Sequence, residues 1–184
     1  MMILENDKCH IKIEEDVTYT VDSVDNRHYD LILNPGQYRR RDFTKTFSIS
    51  IDLFSREFSI ALIGPFYSYD SDCAVLNGNI LTVLQDNTIT QIKVSDGSIV
   101  HYTTFDCIGG CFFAMYQVKK GYIICGEVEL ILLDFEFEKK WSFFCVDIFV
   151  SVSEIHEDVV CLYDLENNYY EIDYDGNLVT CIST

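Results

Sequence analysis

Along residues 77–101, NGNILTVLQDNTITQIKVSDGSIVH, apolar and polar side chains alternate between short breaks of Asp, Asn and Gly. A repeat of two is the period of a strand with two distinct faces. The pattern predicts three strands, Ile80–Gln85, Thr88–Ser95 and Ser98–Phe105, separated by Asp86-Asn87 and Asp96-Gly97. Such pairs tolerate the positive φ that tight hairpins need, so the stretch reads as a β-meander. In its middle strand Thr88, Thr90, Ile92 and Val94 face one way, and Ile89, Gln91, Lys93 and Ser95 the other.

The same grammar extends along the chain. The N-terminal part predicts strands at His10–Glu15, Thr18–Ser23 and Tyr29–Leu33, then a turn at Asn34-Pro35-Gly36. A hairpin of Phe47–Leu53 and Phe58–Ile63 follows, with Phe47, Ile49, Ile51 and Leu53 on one face and Ser48, Ser50 and Asp52 on the other. After the break at Gly64-Pro65, a second meander is predicted from Phe112–Val118, Tyr122–Cys125, Leu130–Phe135 and Trp141–Phe149. A third comes from Val150–Ile155, Val159–Leu165, Tyr169–Tyr174 and Leu178–Ile182. No stretch reads as a helix longer than a turn or two.

An internal repeat ties the meanders together. ITQIKVSDGSIV around Asp96 matches YYEIDYDGNLV around Asp175, with one residue dropped before the Asp-Gly pair. The two pairs lie 79 positions apart, and Phe137–Lys140 holds the equivalent turn between them. The starts of the second strands, Ile80, Tyr122 and Val159, are spaced 42 and 37 positions. Four short strands in about 40 residues is the signature of a propeller blade. The expected fold is therefore all-β: an irregular N-terminal sheet over residues 1–65 and three blade-like repeats over 66–184. Together they would form a single domain, an open, partial β-propeller, with a β-sandwich as the alternative.

Composition narrows the function. At 184 residues the chain is long enough for a real core, and 48% hydrophobic content with 13 Phe and 12 Tyr excludes disorder. Thirty acidic residues against 13 basic ones give a net charge of −17. That field repels nucleic acid and anionic membranes and attracts a cationic partner, although it also serves plain solubility. The N-terminus, MMILENDKCHIKIEED, lacks the basic start and apolar run of a secretory signal, which points to the cytoplasm. The eight cysteines then read as reduced, mostly buried thiols. The basic stretch Gln37–Thr46, with Arg39, Arg40, Arg41 and Lys45, reads as a solvated loop whose arginines pair with nearby carboxylates.

The repeats at Asn77–His101 and Val159–Thr180 resemble blades of quinoprotein-type or WD40-like propellers, without the tryptophan-aspartate dipeptide of the latter. In size, acidity and half-propeller organisation the whole chain also resembles immunity proteins of bacterial contact-dependent growth inhibition systems. In particular it is similar to those that neutralise a basic ribonuclease toxin. That resemblance implies a non-enzymatic protein that binds the toxin's nuclease domain, covers its active site and needs no cofactor.

No chemical motif competes with that expectation. Cys107 and Cys111 with His101 or His10 stand at the edge of zinc spacing, and no second Cys-x-x-Cys supports them, so no metal site is assigned. No Cys–His nucleophile signature or phosphate-cradling glycine loop is present. With 30 acids, carboxylate pairs arise by chance. What remains is placement: many acids fall at turns. FYSYDSD sets Phe66, Tyr67 and Tyr69 beside Asp70 and Asp72, an anchor-and-carboxylate composition typical of interfaces. Those five residues, with Glu154, Glu157 and Asp158 of a later turn, are the candidate contacts with a partner. The open sheet edge adds a second expectation: weak self-association, or peptide capture by a scaffold.

Overall fold

A computed structural model describes residues 1–65, 72–108, 111–145 and 147–183, the side chains at 151 and 153 excepted. Every regular element in it is a strand. The chain forms two compact units, Met1–Thr104 and Phe105–Thr184.

The first unit opens with β1 (Met2–Glu5), β2 (His10–Glu15), β3 (Leu31–Leu33), β4 (Thr44–Asp52) and β5 (Glu57–Pro65). They form one sheet in the order β1-β2-β4-β5-β3, with only β3 parallel to its neighbour. The second sheet is the predicted meander: β6 (Ala74–Asn77), β7 (Ile80–Gln85), β8 (Thr88–Lys93) and β9 (Ile99–Thr104), paired in chain order. Alternation decides which faces meet. Ile11, Ile13, Ile49, Ile51, Ile60 and Leu62 on one face of the first sheet pack with Leu81, Val83, Ile92 and Val94 of the second. These strands are rich in β-branched residues, which suit a half-buried pleated surface.

The second unit repeats the plan with two meanders. β10 (Phe112–Val118), β11 (Gly121–Gly126), β12 (Glu129–Leu133) and β13 (Lys139–Phe144) form one; β14 (Phe149–Ile155), β15 (Val159–Asp164), β16 (Tyr169–Asp173) and β17 (Leu178–Ile182) form the other. Ile123, Cys125, Leu130 and Leu132 pack with Phe149, Val160, Leu162 and Ile172. Three four-stranded antiparallel sheets in strict up-and-down order are the blade-like repeats the sequence predicts.

Three hairpins of the second unit share one turn. In each, the N–H groups two and four residues beyond an aspartate donate to its Oδ1: Glu136 and Glu138 to Asp134, Glu166 and Asn168 to Asp164, Asp175 and Asn177 to Asp173. The residue three beyond the aspartate takes positive φ: Phe137 at 65°, Asn167 at 63° and Gly176 at 85°. Phe137 is bulky for that region, and it is held there by stacking on Tyr122 with ring centroids 5.3 Å apart. The correspondence between the Phe137 turn and the Asp175-Gly176 turn, predicted from spacing, is therefore also a conformational one.

Two expectations fail, one strand went unread, and the cysteines, free as expected, are buried only in part. Thr18–Ser23 is a series of turns, not a strand. Asp16 accepts both the Thr18 N–H and hydroxyl, and Asn26 bonds the N–H and C=O of Thr20, taking groups a ladder would use. Met2–Glu5, missed in the sequence, pairs with β2. Arg39, Arg40 and Arg41 make no ion pair among the described residues. Asp42 instead accepts the Arg39 backbone N–H at 2.7 Å, and Glu15 is taken by Lys45 at 2.9 Å. Of the cysteines, Cys9, Cys73, Cys125 and Cys161 are buried, Cys107, Cys111 and Cys145 half-buried, and Cys181 exposed; no disulfide joins them.

The glycines at two turns separate strain from crowding. Gly78 has φ +58° and open space where a Cβ would go, whereas Gly121 has φ +146° and a Cβ there would sit 1.9 Å from the Leu133 carbonyl oxygen. Gly78→Ala should therefore cost about 1 kcal/mol, the left-handed penalty alone, and Gly121→Ala at least ~3 kcal/mol in urea unfolding. Equal costs would contradict the crowding.

Candidate functional site

Three of the four described candidate contacts lie in the second unit. Phe66, Tyr67, Tyr69 and Asp70 lie outside the described residues. Asp72 is half-buried just ahead of β6 in the first unit. Glu154 near the end of β14, and Glu157 and Asp158 in the β14–β15 turn, are all exposed. They belong to one end of the last sheet for a topological reason. In an up-and-down meander the first and third turns fall at the same end, so the β16–β17 turn joins the β14–β15 turn there. The β10–β11 turn of the neighbouring sheet completes the group.

Together these turns line a cleft of about 500 Å³, bounded by Glu157 and Asp158, by Asp173, Tyr174 and Asp175, and by Lys119 and Lys120. Four carboxylates face two ammonium groups, leaving the cleft net acidic. The aromatic floor is fixed. Tyr174 is buried, its hydroxyl donates to the His156 carbonyl at 2.8 Å, and its own carbonyl accepts the Trp141 indole N–H at 3.1 Å. Burial, with Asp158 and Cys161 nearby, pushes the Tyr174 hydroxyl pKa up, so it stays a neutral donor.

The carboxylates divide into two kinds. Asp173 is committed to folding. Its oxygens accept the Asn177 side chain and the backbone N–H groups of Asn177 and Asp175, and these bonds hold its pKa below the ordinary range. Asp175 is paired with Lys120 at 2.5 Å, and both are exposed. Glu154 pairs with His156 at 2.9 Å. Glu157 and Asp158 enter no ion pair among the described residues.

Beside the cleft, on the outer face of the same sheet, Glu154, Cys161, Glu171 and Thr180 stand in one cross-strand row. Tyr169 lies 2.8 Å from Glu171 and 3.1 Å from the Cys161 sulfur through its hydroxyl. Thr180 and Tyr169 hold the Glu171 carboxyl below its usual range, with His156 adding to the effect.

Two carboxylates elsewhere in the unit are buried. Asp164 loses solvation by burial, but donors from Asn168, Tyr170 and Glu166 outweigh that and depress its pKa. Glu129 is fully buried, accepts Lys139 Nζ at 3.2 Å and the Ile108 N–H at 3.0 Å, and so pins the segment around Cys107 to the sheet. Among the described residues no three His, Cys, Asp or Glu side chains are grouped to hold a metal ion. No helix among them is long and apolar enough to cross a membrane.

Sequence reasoning found Glu157 and Asp158 but missed Asp173, Asp175, Lys119 and Lys120. The signal was present: Lys119-Lys120-Gly121 and Asp175-Gly176 are both legible as turns, and counting strands assigns them to the same end.

No family model matches the chain, and no curated protein matches it. Solved structures do share its fold. Raptor from Chaetomium thermophilum is similar at 15% identity with a TM-score of 0.53, over 83% of this chain and 16% of that one. A protein of unknown function from Bacteroides caccae is similar at 13% identity and a TM-score of 0.51, over 77% of this chain and 57% of that one. BamB from Moraxella catarrhalis is similar at 8% identity and a TM-score of 0.48, over 76% and 47%. The chain thus spans less than two thirds of the length of each.

The turn carboxylates make stability depend on acid. A carboxyl depressed in the folded state contributes stability that is present above its unfolded value, about 3.9, and is lost as pH falls through the folded one. Asp134, Asp164 and Asp173 are all depressed, and Asp96, bonded by Ser98 and Lys93, is lowered to about 2. The urea midpoint should therefore fall steadily from about pH 4 towards 2. Asp164→Asn should lower the midpoint at pH 7 and flatten that fall; an unchanged slope would dismiss the depressed carboxyl.

Proposed function

We propose that this chain is a non-enzymatic inhibitor of a basic nuclease, an immunity protein of the contact-dependent growth inhibition type acting in the cytoplasm. The observation that carries the reading is the acidic cleft at the end of the second unit. Glu157 and Asp158 are exposed there, uncommitted to the fold, beside an ordered aromatic floor. A basic groove built to bind nucleic-acid phosphates meets in this end a surface of opposite charge. Inhibition then needs no chemistry: occupying the groove excludes the substrate. The net charge of −17 supports the same partner by drawing a cationic domain in from a distance. The reaction blocked would be RNA cleavage, as the resemblance of the whole chain implies.

A second reading has its own observation. β17 is an edge strand with the uncharged sequence LVTCI, and Leu178, Val179 and Ile182 are about half exposed. Such an edge offers a template for an added strand from a peptide or a second copy, as in a scaffold.

The deciding experiment is calorimetric titration against the C-terminal domain of the large secreted protein encoded immediately upstream, if the genome has one. Nanomolar binding that weakens with salt and abolishes RNA cleavage is expected. Glu157→Lys with Asp158→Lys should slow association by roughly tenfold or more at low salt while changing dissociation by less than about threefold. Association indifferent to both charge reversal and salt would remove the electrostatic basis of the proposal.

A further inference from the structure

The 15 residues between β2 and β3, Asp16–Asp30, form no regular element, yet they are firmly pinned. Besides the Asp16 and Asn26 bonds, Tyr29 is buried and its hydroxyl donates to Asp16 at 2.7 Å. Asp30 accepts both the backbone N–H and the hydroxyl of Ser59, at 2.7 and 2.9 Å. Excursions of this length inside a compact unit are uncommon, and those that are ordered usually serve binding. This one lines an open cleft of about 430 Å³ against β3 and β5, a size suited to a small molecule.

The walls specify chemistry. Val21, Ile32 and Ile63 supply apolar surface, and Tyr19 and Tyr29 meet edge to face with centroids 6.0 Å apart. Arg27 lies over the Tyr29 ring at 5.3 Å and, with His28, lines the same cavity. In a chain with 30 acids, four of them at positions 16, 22, 25 and 30 of this very loop, Arg27 makes no ion pair among the described residues. Asp16 and Asp30 are engaged by pinning bonds, and Asp22 and Asp25 are exposed and enter no ion pair among the described residues. The guanidinium is thus left stacked and available, a posture suited to a planar bidentate acceptor. Asp22, at φ +62°, also lines the cavity, and with Asp16 it raises the Tyr19 pKa, beyond the larger effect of burial. Its charge opposes a second negative group on any ligand.

We infer that the Asp16–Asp30 loop forms a binding site for a small organic monocarboxylate with a flat apolar body. The carboxylate meets Arg27 and the apolar body packs between the tyrosines and Ile32. The cavity lies wholly in the first unit and does not depend on the acidic turns of the second.

Calorimetry with phenylacetate and its uncharged amide, phenylacetamide, tests this on the full chain. Phenylacetate should bind with Kd in the range of about 10–500 μM, and the amide at least ~10-fold more weakly. Arg27→Gln, at an exposed position and with the fold checked by circular dichroism, should bring the acid down to the amide's affinity. Asp22→Asn should tighten the acid about two- to fivefold by removing an opposing charge. Absence of binding at millimolar phenylacetate, equal affinity for acid and amide, or an Arg27→Gln chain that still prefers the acid would each overturn the inference.

Discussion

Each blade of the second unit depends on aspartate carboxylates bonded to their own turns. Asp134, Asp164 and Asp173 each give one oxygen to two backbone N–H groups, and the residue three places on is thereby held at positive φ. The turn fixes register, and register fixes which side chains enter the core, since a slip of one residue would exchange the faces of every strand. Ile123, Leu132, Val160 and Leu162 reach the interior because these turns place them there.

The same constraint clarifies the surface. A chain with 30 acids looks uniformly acidic, but its carboxylates do unlike work. Some are structural caps that happen to be charged. Others, such as Glu129 with Lys139, staple a segment from inside. A third set, Glu157 and Asp158 foremost, enters no ion pair among the described residues and is left exposed by the fold.

Much of the architecture was legible because strands announce themselves by alternation and their turns by Asp, Asn and Gly. Ile80–Gln85, Phe112–Val118 and Leu178–Ile182 have the bounds their pattern predicts. What escaped has physical reasons. Thr18–Ser23 has strand-like residues, but Asp16 and Asn26 outbid the ladder through local hydrogen bonds. Met2–Glu5 is too short to show a period and is a strand only because β2 is beside it. The cleft was half legible: Glu157 and Asp158 stand out as a turn, whereas the convergence of Lys120 and Asp175 depends on a contact 55 positions apart. That Arg27 lies over the Tyr29 ring and makes no ion pair among the described residues depends on the loop's fold, which composition does not reveal.

Because the capping aspartates and the exposed turn acids are different residues, surface charge and hairpin closure are separable in this chain. Glu157, Asp158 and Asp175 can drift, change sign or be replaced while Asp134, Asp164 and Asp173 keep the hairpins closed. The charge at the tips of the turns is therefore free to vary without bringing the fold to its stability threshold.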